Sequence, residues 1–179
     1  MDAGAGAGAG TGTGRGRGAG GGAGRDRTYV AVVGPSAPTP VQERDAEELG
    51  AGLAVRDHVV VCGGRGGVME AVARGAAGAG GDVVGILPGT GRADANPYVT
   101  IALPTGLGDV RNTLVVRAAD VVVAVGTSWG TLNEVAFAVS VGTPVVGIGG
   151  WALPEAGGPQ RVRTVEEALA AVDELLGQH

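Results

Sequence analysis

The chain has 179 residues, 44% of them hydrophobic but only 3% aromatic, and a formal charge of −5; its core must be built from Val, Ala, Leu and Ile, and the lack of any run of Lys or Arg disfavours a dedicated duplex-binding surface. All 13 basic residues are arginine, which rules out a Walker lysine, a Schiff-base lysine and a pyridoxal phosphate anchor. One cysteine, Cys62, and two histidines, His58 and His179, leave no intramolecular disulfide and no ordinary zinc site to build.

From Met1 to Arg27 the chain is an alternating Gly/Ala/Thr tract that cannot bury apolar surface against its entropy cost, so a disordered tail is expected. Residues 28–179 then form one domain of ordinary size. Six Val-rich runs predict strands: Tyr29 to Val33, His58 to Cys62, Asp82 to Leu87, Val99 to Leu103, Asp120 to Val125 and Pro144 to Ile148. They are almost continuously apolar, as strands covered on both faces must be. Helices are predicted over Val41 to Val55, Gly67 to Ala79, Asp109 to Ala118, Thr131 to Val141 and Thr164 to Leu176. This alternation predicts an α/β Rossmann-like, doubly wound, mainly parallel sheet of about six or seven strands with helices on both faces. No apolar stretch is long enough to cross a bilayer, and the start lacks the apolar core of a signal peptide, so a cytoplasmic location is expected.

In such a sheet every strand-to-helix turn emerges at the carboxyl edge, and here those turns are rich in glycine. They read Gly34-Pro35-Ser36, Gly63-Gly64-Arg65-Gly66-Gly67, Pro88-Gly89-Thr90-Gly91 and Gly126-Thr127-Ser128-Trp129-Gly130. The second follows a strand and opens a helix, so a phosphate could approach its backbone amides at the positive helix end. It departs from G-x-G-x-x-G because Met69 stands where the third glycine would be, which disfavours NAD.

The fourth turn leads into Thr131-Leu132-Asn133-Glu134. Thr131 and Glu134 fit a T-x-x-E capping box, and the same carboxylate could equally stand at the rim of the cleft; spacing leaves both readings open. Asp109 can cap the helix that carries Arg111. An arginine in that first turn opposes the macrodipole and makes more sense facing an anion, although a solvated side chain has the same spacing. Arg117, nearer the helix end, suits the dipole. Glu70 is a further candidate, and Trp129 could either stack on a ring or pack. Gly126-Thr127-Ser128-Trp129-Gly130 also matches the G-x-S-x-G nucleophile elbow, but only His179 follows it to serve as base.

With these residues in place, Val30 to about Gly149 resembles the LOG (LONELY GUY) superfamily, long misnamed lysine decarboxylases, and most closely its molybdenum cofactor carrier-like branch. Cys62-Gly63-Gly64-Arg65-Gly66-Gly67-Val68-Met69-Glu70 is similar to the branch's CGGxGGVME. Gly130-Thr131-Leu132-Asn133-Glu134 is similar to the end of the family's PGGxGTxxE, and Arg111-Asn112-Thr113 takes the place of its functional arginine. The resemblance implies Arg111 and Glu134 as catalytic residues for hydrolysis of the N-glycosidic bond of a nucleoside 5′-monophosphate, with no cofactor required. It also implies a phosphate and nucleotide site of Gly34, Ser36, Gly63, Gly64, Gly66, Gly67, Met69, Gly126, Thr127, Ser128, Gly130 and Thr131. Gly126-Thr127-Ser128 replaces the PGG part, and the carrier branch implies the alternative: a non-catalytic carrier or sensor of molybdenum cofactor, itself a phosphorylated pterin, or of another nucleotide. A homodimer or homotetramer with a small phosphorylated ligand, and neither duplex nucleic acid nor membrane as partner, completes the expectation.

Overall fold

In the computed structural model, residues 27–153 and 157–177 are described. The expected tail, apart from Arg27, and His179 lie outside them. Seven parallel strands run in the order β4-β3-β2-β1-β5-β6-β7. They are β1 (Tyr29–Val33), β2 (Val59–Cys62), β3 (Val83–Leu87), β4 (Ile101–Pro104), β5 (Val121–Val125), β6 (Val145–Ile148) and β7 (Gln160–Val162). Among the described residues four α-helices lie between strands, α1 (Pro40–Val55), α2 (Val68–Gly78), α3 (Asn112–Arg117) and α4 (Trp129–Val141), and α5 (Val165–Leu176) follows β7.

The expected doubly wound α/β architecture is therefore present, and the alternating side-chain directions of the strands divide its core in two. Val30, Val32, Val60 and Val123 pack with α1, α2 and α5 on one face, while Ala31, Val33, Val122 and Ala124 pack with α3 and α4 on the other. The order turns back between β1 and β5, which pair from Val30 opposite Val121 to Val33 opposite Ala124. At such a reversal the crossovers diverge and leave a crevice at the carboxyl edge.

Two local expectations are corrected, and one strand that the sequence did not single out brings the sheet to seven, within the expected six or seven. The Val99–Leu103 run begins its strand only at Ile101, at the sheet edge, with Ile101 and Leu103 exposed instead of covered. The preceding residues are drawn into a turn by Asn96, whose N–H donates to the Gly64 carbonyl and whose side-chain amide donates to the Arg65 carbonyl. The helix expected from Asp109 is a 3-10 turn over Gly108–Arg111 followed by the short α3, and Asp109 makes no side-chain cap. β7, beyond the six expected strands, is a polar three-residue edge strand that carries no hydrophobic pattern.

Helices α1 and α2 approach closely because each offers a glycine to the other's backbone: a Cβ on Gly50 would land on the Val72 carbonyl, and one on Gly75 on the Glu47 carbonyl. A Gly-to-Ala exchange inside a helix ordinarily gains roughly 1 kcal/mol. Here the methyl group meets a main chain that cannot turn aside, and Gly75→Ala is expected to lose about 2 kcal/mol instead, read as a lower midpoint in urea unfolding.

Candidate functional site

The β1/β5 crevice is a cleft of about 360 Å³ whose wall includes Gly34, Ser36, Gly63, Met69, Asp109, Arg111, Asn112, Ser128, Gly130, Thr131 and Glu134. These residues come from the turns after β1, β2 and β5 and from the segment that enters α3, so elements distant in sequence converge at one rim.

Arg111 is only 7% exposed, and its Nε has no hydrogen-bond partner. Its Nη2 lies 4.0 Å from Met69 Sδ, a weak acceptor. Burial lowers its pKa from the ordinary value, against the opposing pull of Glu134. Glu134 is 8% exposed, and burial pushes its carboxyl up to about 7 despite the nearby Arg111 charge. At neutral pH it is thus divided between acid and carboxylate.

The capping box does not form. Helix α4 starts two residues earlier than expected, at Trp129, and Ser128 is its cap: the Thr131 N–H donates to Ser128 Oγ at 3.0 Å, and the two hydroxyls lie 2.8 Å apart. That frees Glu134 to face the cleft. It also commits Ser128 Oγ to structure. No histidine among the described residues stands near Ser128, because His58 sits between Thr28 and Asp173 at the opposite edge of the sheet. His179, the base that the nucleophile-elbow reading named, lies outside the described residues.

The glycine turn after β2 serves the protein's own packing more than an open cradle would. A Cβ on Gly63 would collide with the Arg111 guanidinium and Met69 Sδ; one on Gly64 would strike Leu87, and one on Gly67 the backbone of Pro35 and Ser36. Gly63 is the seat of Arg111. Gly66 is exposed, while Gly126 and Thr127 line a neighbouring slot instead of the cleft. Gly67 and Glu70 border a separate shallow pocket with Ser36. The turn from Pro88 to Gly91 contributes nothing to the cleft wall. Gly130 lies in the first turn of α4, where a Cβ would meet only Ser128 Oγ, at 3.7 Å, and first-turn amides have no intrahelical acceptor. An anion is best received there, at the positive end of α4, with Arg111 opposite.

Asn112 also belongs to the wall, although only its neighbour Arg111 drew notice in the sequence. Its adjacency to that arginine was the available clue. Beneath the cleft, the Cys62 thiol is fully buried, accepts the Gly64 N–H at 3.4 Å and is pushed up to about 11 by burial, which makes it inert as a nucleophile at neutral pH. Among the described residues no cluster of His, Cys, Asp and Glu could hold a metal ion, and no helix is long and apolar enough to cross a membrane.

Comparisons with known proteins agree with this arrangement. The model of the SLOG cluster4 family matches residues 27–174. Among solved structures, the molybdenum cofactor binding protein from the phototrophic bacterium Rippkaea orientalis is 30% identical, with a TM-score of 0.79 over 86% of this chain and 99% of that one. The molybdenum cofactor carrier protein from Chlamydomonas reinhardtii is 34% identical, with a TM-score of 0.77 over 84% and 99%. An uncharacterized protein of Archaeoglobus fulgidus is 36% identical over 119 residues, which are 66% of this chain and 78% of that protein.

Proposed function

The chain belongs to the SLOG cluster4 family, and we propose that its cleft binds a phosphorylated pterin or nucleotide and carries it unchanged, with molybdenum cofactor as the favoured cargo. The observation that carries this reading is Arg111: a guanidinium buried beside Gly63 with an unpartnered Nε, lining a cleft large enough for a small ligand. A buried charge without a hydrogen-bonded partner is costly, so an anion supplied from outside is its natural complement. The similarity to proteins described as binding or carrying molybdenum cofactor extends over nearly the whole of those chains. The residues present suit such cargo: Gly130 offers first-turn amides to a phosphate, Arg111 offers a fork to a second anionic or carbonyl group, and Ser36 and Asn112 add neutral hydrogen-bonding groups.

A second reading is favoured by one feature, the buried Glu134 opposite Arg111. In hydrolysis of a nucleoside 5′-monophosphate a carboxylate there would stabilise positive charge on the ribose as the base departs and water adds. The two readings respond to pH with opposite sign. Binding an anion near Glu134 is strongest when that group is protonated, so affinity falls as pH rises through about 7; hydrolysis needs the carboxylate, so its rate climbs over the same interval.

Native mass spectrometry of freshly isolated protein is expected to show a pterin adduct, and incubation with AMP at pH 6 and 8.5 is expected to release no adenine. Adenine release that grows with pH and disappears in Glu134→Gln would replace the carrier with the hydrolase. Absence of an adduct, together with no calorimetric binding of AMP, would defeat both.

A further inference from the structure

The cleft has two poles, and they stand on different strands. Gly63 and the Arg111 guanidinium packed against it lie just past the end of β2, whereas Gly130, Thr131 and Glu134 belong to the helix that follows β5. β1 pairs with both strands and separates them, so the poles are two strand spacings apart, roughly 10 Å. Gly34, the residue after β1, is part of the cleft wall between them and puts no side chain in the way. A single phosphate seated on the first-turn amides of α4 therefore leaves the β2 side untouched.

That side holds a second cation. Arg65 is two residues past Gly63, exposed, and its side chain has neither a carboxylate partner nor a hydrogen bond among the described residues. Its main chain is held firmly: the Asn96 N–H donates to the Gly64 carbonyl, and the Asn96 side-chain amide donates to the Arg65 carbonyl at 3.0 Å. Asn96 is itself buried, and a satisfied buried amide of this kind fixes the turn that bears the side chain. Arg65 also lies close enough to Arg111 for the two positive charges to oppose one another. An anion placed between the two guanidiniums relieves that repulsion. Position 65 is the open one in CGGxGGVME, so this arginine is a feature of the chain itself.

We infer that the cleft prefers a ligand with two phosphates in series, a nucleoside diphosphate over the monophosphate, with one phosphate on the first-turn amides of α4 and the other between Arg65 and Arg111. The inference rests on the reading of the cleft as a carrier site and specifies its ligand further. Two linked phosphates and the reach of an arginine side chain together cover an interval that one phosphate leaves open, and guanidinium forks bind phosphate oxygens in pairs. Arg65 is then the residue that sets the preference: Arg111 is fixed by burial, while Arg65 is an exposed arm that adds its contact only where a second phosphate exists.

Isothermal calorimetry with ADP and with AMP, in EDTA at pH 6 where Glu134 is mainly the neutral acid, reads the preference. ADP is expected to bind wild type about 10-fold more tightly than AMP, and Arg65→Ala is expected to erase that difference by weakening ADP about 10-fold. Arg65→Lys, a point charge without the fork, should keep part of it. Arg44→Ala, which takes an exposed cation from α1 outside the cleft wall, should leave the difference in place, so that overall charge is not what is read. Equal affinity of wild type for ADP and AMP, or a preference for ADP that survives in Arg65→Ala, overturns the inference while AMP binding still supports the carrier reading. Binding of neither nucleotide overturns it as well, and the carrier reading is then decided by the pterin adduct alone.

Discussion

Arg111→Met is expected to weaken ligand binding by roughly 100-fold while leaving the unliganded protein at least as stable as before. The first half follows from the loss of a charge-assisted contact in a desolvated site, typically about 2–4 kcal/mol. The second half follows from the buried, unpartnered Nε, since an apolar side chain of similar length fills the same groove beside Gly63 and Met69 without a charge to desolvate. A merely structural arginine would behave in the opposite way and lower the melting temperature when removed. Gly63→Ala supplies the companion result: its methyl group would displace the guanidinium, and affinity should fall although no ligand-contacting group is deleted. Isothermal calorimetry with AMP, paired with thermal unfolding without ligand, reads both quantities. Retained affinity in Arg111→Met would remove the arginine from the site.

Glu134→Gln is expected to stabilise the protein at alkaline pH by on the order of 3 kcal/mol and to have almost no effect near pH 4.5. Burial raises the carboxyl from 4.5 to about 7 in the folded protein, so the folded state favours the neutral acid. The stability associated with that preference is complete below 4.5, declines as pH rises through the interval to about 7, and is gone above it. Glutamine is neutral throughout and escapes the decline. Urea unfolding of both proteins at pH 4.5 and 8.5 measures the difference, and equal stabilities at pH 8.5 would mean that the carboxyl is solvated. A side chain that lowers stability where it is charged is the pattern expected of a group retained for binding or chemistry.

The strands were legible because both faces of the sheet are covered, so their continuous valine runs contrast with the glycine turns between them. β7 was not, because Gln160–Val162 pairs at an open edge where nothing requires apolar side chains. The start of β4 was misplaced because Val99 is apolar for a different reason: its side chain packs against Gly85 from a turn held by Asn96. Within the site, Arg111 and Glu134 could be singled out from motif position. What the local pattern could not decide was the role of Glu134, since T-x-x-E suits a cap and a cleft equally. Ser128 decides it by capping α4 from three residues before Thr131. Gly63 could be placed at the cleft from its turn, but its contact with the Arg111 guanidinium is made only by the tertiary fold and has no local signal.

The seam at β1 and β5 has a consequence for the thermodynamics of the whole chain. Among the described residues the first four strands are hydrogen-bonded to the last three along this one line, which the packing of α1 against α5 braces on one face, and the cleft sits on top of it with groups from both sides. A molecule held there acts as a clasp between the two wings, and its affinity reappears as resistance to global unfolding, growing with the logarithm of its concentration. Cargo can therefore be sought blind, by screening compounds for those that delay melting.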